Sequence, residues 1–194
     1  KKICTSPDWA ISSLNFLGGK GDIGDFKYST AGTYLLSAII TRSTGKTALE
    51  FANENLFRPL GMRKLKNYKL TTAAEHLKFL KNKHVTGWVI DPTNNSTGGW
   101  GLTLTPRDMA KFGLLYLNHG LWNDKQIISK EWIEESITTN KNHYGYLWWI
   151  FNETEFPVYC ALGDGGNVIC CIPDKDIVVR SEERRVGKEC SQGV

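Results

Sequence analysis

Thr105-Pro106-Arg107-Asp108-Met109-Ala110-Lys111-Phe112-Gly113-Leu114-Leu115-Tyr116-Leu117-Asn118-His119-Gly120 is a helix written with both of its ends. Thr105 can accept an N–H of the first turn, Pro106 stands where a missing N–H costs nothing, and Asp108 suits the positive helix end. Met109, Phe112, Gly113 and Tyr116 follow the i, i+3, i+4, i+7 spacing of one inward face, and Gly120 stops the run. Ser129 then opens a further helix carrying Trp132, Ile133 and Ile137. Beyond it the period changes. Residues 146–151, 158–162 and 168–172 are short runs rich in aromatic and β-branched side chains, broken by Gly and Pro, and they read as strands, as do residues 176–179. Helices first and strands last predict an α+β arrangement rather than alternating βαβ units.

Upstream, Ser29 or Thr30 can cap a helix that places Tyr34, Leu35, Ala38 and Ile39 on one face and stops at Gly45. A second helix is expected from Thr47 to about Leu56, with Ala48, Phe51, Ala52 and Asn55 in register and Pro59 and Gly61 closing it. The middle is looser, with a short helix at 72–80 and a turn-rich stretch from Asp91 to Gly101.

The apolar fraction of 41% and charged fraction of 23% are ordinary for a soluble globular protein, and no apolar run is long enough to span a bilayer. The net charge of +4 does not cluster. Lys64, Lys66 and Lys69 are interleaved with Leu65 and Tyr68 in a loop, which reads as a solvated face and not as a nucleic-acid site. Five cysteines (Cys4, Cys160, Cys170, Cys171, Cys190) form no CxxC pair and no zinc spacing with histidine. Cys170 and Cys171 sit in an apolar run, where burial as small hydrophobes is expected. The redox compartment and the localisation stay open.

The chain opens without Met and without the apolar core of a signal peptide, so the expectation is a piece of a longer protein. After Val179 the pattern breaks into charged, aperiodic sequence, and residues 180–190 resemble the in-frame translation of a common short-read sequencing adapter. The expected division is therefore a mainly helical lobe at 1–140, antiparallel strands at 141–179 and a non-native tail at 180–194.

Several patterns mislead. The GxGxxG of residues 19–24 follows no strand and opens no helix, as a dinucleotide site would require. Ser43-Thr44-Gly45-Lys46 fits SxxK, but that chemistry needs Ser and Lys one turn apart at a helix start, and here Gly45 interrupts them at a helix end. The four histidines, His76, His84, His119 and His143, are scattered and read as surface or packing residues. Asn94, Asn95 and Asn152 stand in glycosylation-type sequons.

Four blocks then occur in a telling order. They are Phe26-Lys27-Tyr28-Ser29-Thr30 with residues 34–40, Thr44-Gly45 and 56–62; Gly98-Gly99-Trp100-Gly101-Leu102 running into residues 105–113; Tyr144-Gly145-Tyr146-Leu147-Trp148-Trp149; and Ala161-Leu162-Gly163-Asp164-Gly165-Gly166-Asn167 with Pro173 and Val178-Val179. Together they resemble the serine β-lactamase and penicillin-binding-protein-like family, in the branch that includes 6-aminohexanoate-dimer hydrolase-like enzymes. The resemblance implies a partial β-lactamase/transpeptidase-like fold, a helical lobe packed on an incomplete antiparallel sheet.

It also implies an acyl-enzyme mechanism on a small ester, amide or peptide-like substrate, with no metal or organic cofactor. Tyr28 falls on the tyrosine of the family's Tyr-x-Asn motif, its proton-handling residue, and Thr30 stands where Asn is common. Asp164 occupies the position of a third-motif Lys or His, where a carboxylate works against a phenolate and against an anionic substrate. Gly165, Gly166 and Asn167 would form the strand edge beside the nucleophile, with the Asn167 N–H as an oxyanion donor. Trp100 either lines the cleft or packs, and Gly165-Gly166 could equally be a hairpin turn. The family's Ser-x-x-Lys helix has no counterpart here, so the chain is expected not to catalyse as it stands. The rival expectation is a non-catalytic homologue that binds a ligand in the same cleft; a third is that the piece does not fold stably.

Overall fold

A computed structural model of the chain describes residues 6–17, 22, 24–82, 85–139, 142–163 and 166–182. Compactness divides the chain into two units, Lys1–Leu104 and Thr105–Val194. The helix that opens at Pro106 packs on the strands that follow it and falls with them in the second unit.

In the first unit, α1 (Trp9–Leu14) packs on α2 (Thr30–Thr44). Ser29 caps α2 by accepting the Gly32 N–H, and Gly45 ends it in the left-handed conformation at φ 70°. The inward face differs from the expected one. Ala31, Tyr34 and Ser37 are buried, whereas Ile39 is 59% exposed. The reason is the anchor: Tyr34 reaches Asp91, and Ile39 lies about 140° around the helix from it. α3 (Ala48–Ala52) begins in a capping box between Thr47 and Glu50 and runs on as a π-helical turn, Asn53–Phe57. Leu49 rather than Phe51 turns inward, its N–H donating to buried Ser96 Oγ at 3.1 Å. Asn53 fixes the following segment by bonding both the N–H and the C=O of Leu65 at 3.0 Å.

A small sheet that the periodicity did not announce completes this unit. β1 (Asn67–Lys69) pairs in parallel with β2 (Gly87–Ile90), and β2 pairs antiparallel with β3 (Leu102–Thr103). α4 (Ala73–Lys81) crosses between β1 and β2, opened by a capping box of Thr72 and Glu75. Residues 91–101, expected as turns, connect β2 to β3.

The second unit bears out the α+β reading. α5 (Pro106–Leu117) has Thr105 as its cap, accepting from the Asp108 N–H at 3.1 Å. A two-residue hairpin, β4 (Leu121–Trp122) with β5 (Lys125–Gln126), leads to α6 (Lys130–Ser136). Four antiparallel strands follow in the order β6 (Trp149–Phe151), β7 (Val158–Gly163), β8 (Asn167–Ile172) and β9 (Ile177–Glu182). The first strand is shorter than expected because Leu147 sits at φ 69°, outside the extended region.

The core is Tyr116, Ile133, Trp148, Ile150, Tyr159, Ile169 and Cys171, with Phe112 stacked on Trp148 at 6.1 Å and 9°. Gly113 lets α5 lie close to the sheet: a Cβ there would stand 2.6 Å from Val178 Cγ1 and 2.9 Å from Ile169 Cγ2. The register places Trp149, Cys160, Cys170 and Val179 on the opposite face of the sheet, where Val179 is 47% exposed. β9 runs past Val179 through Arg180, Ser181 and Glu182, paired to residues 167–169; ladder pairing uses backbone groups and asks little of the side chains.

The cysteine expectation is half corrected. Neighbours on a strand point to opposite faces, so Cys171 is buried in the core as a thiol while Cys170 turns away to its register partner Cys160 and forms a disulfide. Their Cα atoms are 4.3 Å apart, the spacing of a closely approached antiparallel pair. Cys4 and Cys190 lie outside the described residues. Among the described residues no helix is long and apolar enough to cross a membrane.

Candidate active site

Tyr28 lies immediately before the Ser29 cap of α2 and is 57% exposed, and Thr30 is the exposed first residue of that helix. What holds this turn is the loop 91–101. Asp91, directly after the end of β2, is buried at 1% exposure and collects hydrogen bonds. Its carboxylate accepts from the Asn95 N–H at 2.7 Å, from Thr93 Oγ1 at 2.8 and 3.0 Å, and from the phenol of Tyr34. Burial, then the hydrogen bond to Asp91, pushes the Tyr34 phenol above its ordinary range, so Tyr34 is a neutral donor to a carboxylate. Tyr34 stands one helical turn beyond Thr30, and this bond ties α2 to the loop.

The loop then closes against the first turn of α2. A Cβ on Gly98 would stand 2.1 Å from the Thr33 carbonyl oxygen, and one on Gly99 would stand 2.3 Å from Thr30 Cγ2. Two consecutive glycines are thus demanded by contact and not by backbone conformation. Thr97 locks the far side, accepting the Trp88 indole N–H at its carbonyl (2.6 Å) and bonding the Val89 carbonyl through its hydroxyl at 3.2 Å. The Trp100 ring packs on Trp9, stacked at 6.1 Å and 25°, and meets His76 at 5.1 Å. The first unit therefore sets the first turn of α2, which Tyr28 precedes by two residues, against Gly98 and Gly99.

In the second unit, Gly163 pairs with Asn167 across the β7–β8 hairpin. Gly166 precedes β8 at φ 80°, in the left-handed conformation that glycine favours. Asn167 is exposed and opens β8, flanked by Gly163 and Glu182. Asp164 and Gly165 lie outside the described residues. The Cys160–Cys170 disulfide staples the same two strands three register pairs from the loop.

The SxxK look-alike stands at a helix end. Ser43 Oγ donates to the Ile40 carbonyl at 3.2 Å at the end of α2, and Lys46 is paired with Glu54 beyond Gly45. Periodicity missed Asp91 as the hub of the site. The segment Asp91-Pro92-Thr93-Asn94-Asn95 signals a turn, but nothing local names Tyr34, 57 residues away, as its partner.

The β-lactamase family profile, described as "Beta-lactamase", matches residues 24–180. The chain belongs to the β-lactamase family. Among curated proteins it is similar to the 6-aminohexanoate-dimer hydrolase of Paenarthrobacter ureafaciens, 26% identical over 124 residues, covering 64% of this chain and 26% of that protein. Among solved structures it is similar to "Putative 6-aminohexanoate-dimer hydrolase from Bacillus anthracis", with a TM-score of 0.69 and 24% identity over 89% of this chain and 42% of that one. The second likeness concerns the fold. The chain spans about a quarter of the length of the curated relative and under half of the solved one. The family match runs from just before Tyr28 to Arg180.

Proposed function

We propose that this β-lactamase-family chain is part of a serine hydrolase that cleaves amide or ester bonds through an acyl-enzyme. The observation that carries it is the Tyr28–Thr30 turn, held against the Gly98-Gly99 loop within the span of the family match. In the proposed reaction a serine on a Ser-x-x-Lys helix attacks the carbonyl, the amine or alcohol leaves, and water hydrolyses the ester. Tyr28 handles the proton between the serine and the leaving group. Thr30 offers a hydroxyl to the substrate's polar groups. The Asn167 N–H is one donor to the oxyanion, the serine N–H the other. Gly166 leaves room beside that strand edge. With Asp164 where family members carry a cation, the substrate class is uncharged or amine-bearing. The relatives' names, 6-aminohexanoate-dimer hydrolase, denote a linear amide with a free amine at one end and a carboxylate at the other, and it is the amine end that suits a site bearing Asp164.

Ser43–Lys46 gives the only Ser-x-x-Lys of the 194 residues, and it sits at a helix end. The chain alone is therefore expected to give no stoichiometric burst with an activated ester. The deciding experiment reads the parent gene upstream for an in-frame Ser-x-x-Lys and assays that protein on activated esters and linear amides, with Tyr28→Phe as the control. Turnover lost by more than about 100-fold in Tyr28→Phe is the expected result for a general acid–base group. A burst from these 194 residues, or a parent enzyme indifferent to Tyr28→Phe, would overturn it. Asp164 and Thr30 favour a second reading, a non-catalytic homologue that binds the same ligand. An intact upstream region without Ser-x-x-Lys, together with saturable amide binding, would establish that instead.

A further inference from the structure

The turn between β6 and β7 carries Asn152-Glu153-Thr154, one of three sequons in the chain, and the structure separates it from the other two. All three of its residues are exposed. Thr154 Oγ1 bonds only carbonyls of its own turn, Phe151 at 3.3 Å and Phe156. A shallow cavity of about 390 Å³ lies beside the asparagine, lined by His143, Trp149, Phe151 and Thr154 among others, so a bulky group on Asn152 meets open space.

Asn94 and Asn95 are built differently. The Asn95 amide donates to Asp91 Oδ2 at 3.4 Å and to Thr93 Oγ1 at 2.9 Å, inside the network that holds the candidate site. The hydroxyl residues those two sequons need are Ser96 and Thr97, buried at 0% and 1%, and both are bonded to backbone groups. A glycan on Asn95 would have to take the amide away from Asp91.

A second, independent observation concerns the compartment. The Cys160–Cys170 bridge belongs to the same unit, and disulfides persist where the environment is oxidising, which in cells with a secretory pathway is also where asparagine is glycosylated. We propose that Asn152 is an N-linked glycosylation site, modified in the compartment in which the Cys160–Cys170 disulfide forms. In the transfer the side-chain amide nitrogen bonds to the anomeric carbon of the first N-acetylhexosamine of a lipid-diphosphate oligosaccharide. The bond from that carbon to the diphosphate breaks, the lipid diphosphate departs with the electron pair, and one amide proton goes to solvent. The glycan projects from the turn and leaves the ladder β6-β7-β8-β9 intact.

The test directs the full 194-residue chain into the secretory pathway of a eukaryotic cell and analyses the secreted protein. Enzymatic deglycosylation in heavy-oxygen water is expected to turn Asn152 into labelled aspartate. Asn152→Gln and Thr154→Ala should each abolish the glycan-dependent mass shift, and Thr154→Ser should retain it. Digestion ahead of Asp164 should leave the Cys160 and Cys170 peptides joined until reductant is added. Secreted chain with Asn152 unmodified, or modified at Asn94 or Asn95 instead, would overturn the assignment, as would glycosylated chain in which Cys160 and Cys170 are not joined. If the wild-type chain is retained in the cell, the same peptide analysis is made on the retained protein, because the transfer precedes export.

Discussion

Alanine at Gly98 or Gly99 tests the contact that holds the first turn of α2, beside Tyr28, in place. Neither glycine has a positive φ, so alanine is free to adopt the backbone, and stiffening the unfolded chain alone would stabilise the protein by about 0.4–1 kcal/mol. The contacts reverse that sign. At Gly98 the new Cβ would stand 2.1 Å from the Thr33 carbonyl oxygen and 2.7 Å from the Thr33 carbonyl carbon, about 1.4 Å inside normal contact with the helix backbone. At Gly99 the nearest atoms are Thr30 Cγ2 at 2.3 Å and Thr33 Oγ1 at 2.9 Å, both on side chains. Overpacking costs about 1–3 kcal/mol where neighbours can yield. Gly99→Ala should therefore lose about 1–2 kcal/mol net, and Gly98→Ala about 3 kcal/mol or more, since a helix backbone yields least. With a urea dependence of about 1–3 kcal/mol per molar, the Gly98→Ala midpoint falls by about 1–3 M. The assay is urea unfolding read by amide exchange in α2, with α5 as the internal reference. Thr30→Ser removes the obstructing methyl, so it should recover at least half of the Gly99→Ala loss and none of the Gly98→Ala loss. A raised midpoint for Gly99→Ala, or equal rescue of both variants, would refute the packing described here.

Alkaline pH should destabilise both units. Burial pushes the Cys171 thiol up to about 11 and moves the phenols of Tyr34 and Tyr159 upward as well, so the folded state keeps protons that the unfolded chain releases. Stability is then intact below about pH 9 and falls as pH rises through about 11, the slope being negative wherever the unfolded state binds fewer protons. Urea midpoints taken across that window check it; Cys171→Ala should blunt the early part of the fall, and a flat profile would contradict it. Removing the Cys160–Cys170 bridge, by reductant or by the double Ser variant, frees a loop of sequence separation 10 and should cost the second unit about 2–3 kcal/mol. Amide exchange in β7 and β8 should quicken while α2 is unaffected; unchanged exchange in those strands would show that the bridge stabilises nothing.

Much of the site was legible as local chemistry. The Ser29 cap, the Thr105-Pro106 helix start and the Gly45 stop are short-range signals, and each stands where the sequence puts it. Inward faces were less legible. α2 turns Tyr34 and Ser37 inward rather than Ile39, because a hydrogen bond to a residue 57 positions away outweighs a few apolar contacts in choosing the face. The small sheet of β1, β2 and β3 escaped notice because strands of two to four residues carry too little periodicity to be read.

The cysteines show the same division. Period two along a strand already dictates that Cys170 and Cys171 face opposite ways, but only the register of β7 against β8 makes Cys160 the partner of one and leaves the other a buried thiol. By itself the sequence determined the α+β class, the main helix ends and the family blocks, all of which are set by neighbours a few residues apart. The tertiary structure decided why Gly98 and Gly99 must be glycines, that Asp91 anchors the helix that follows Tyr28, and which cysteines join. Those depend on contacts between segments distant in sequence, whose geometry no local pattern encodes.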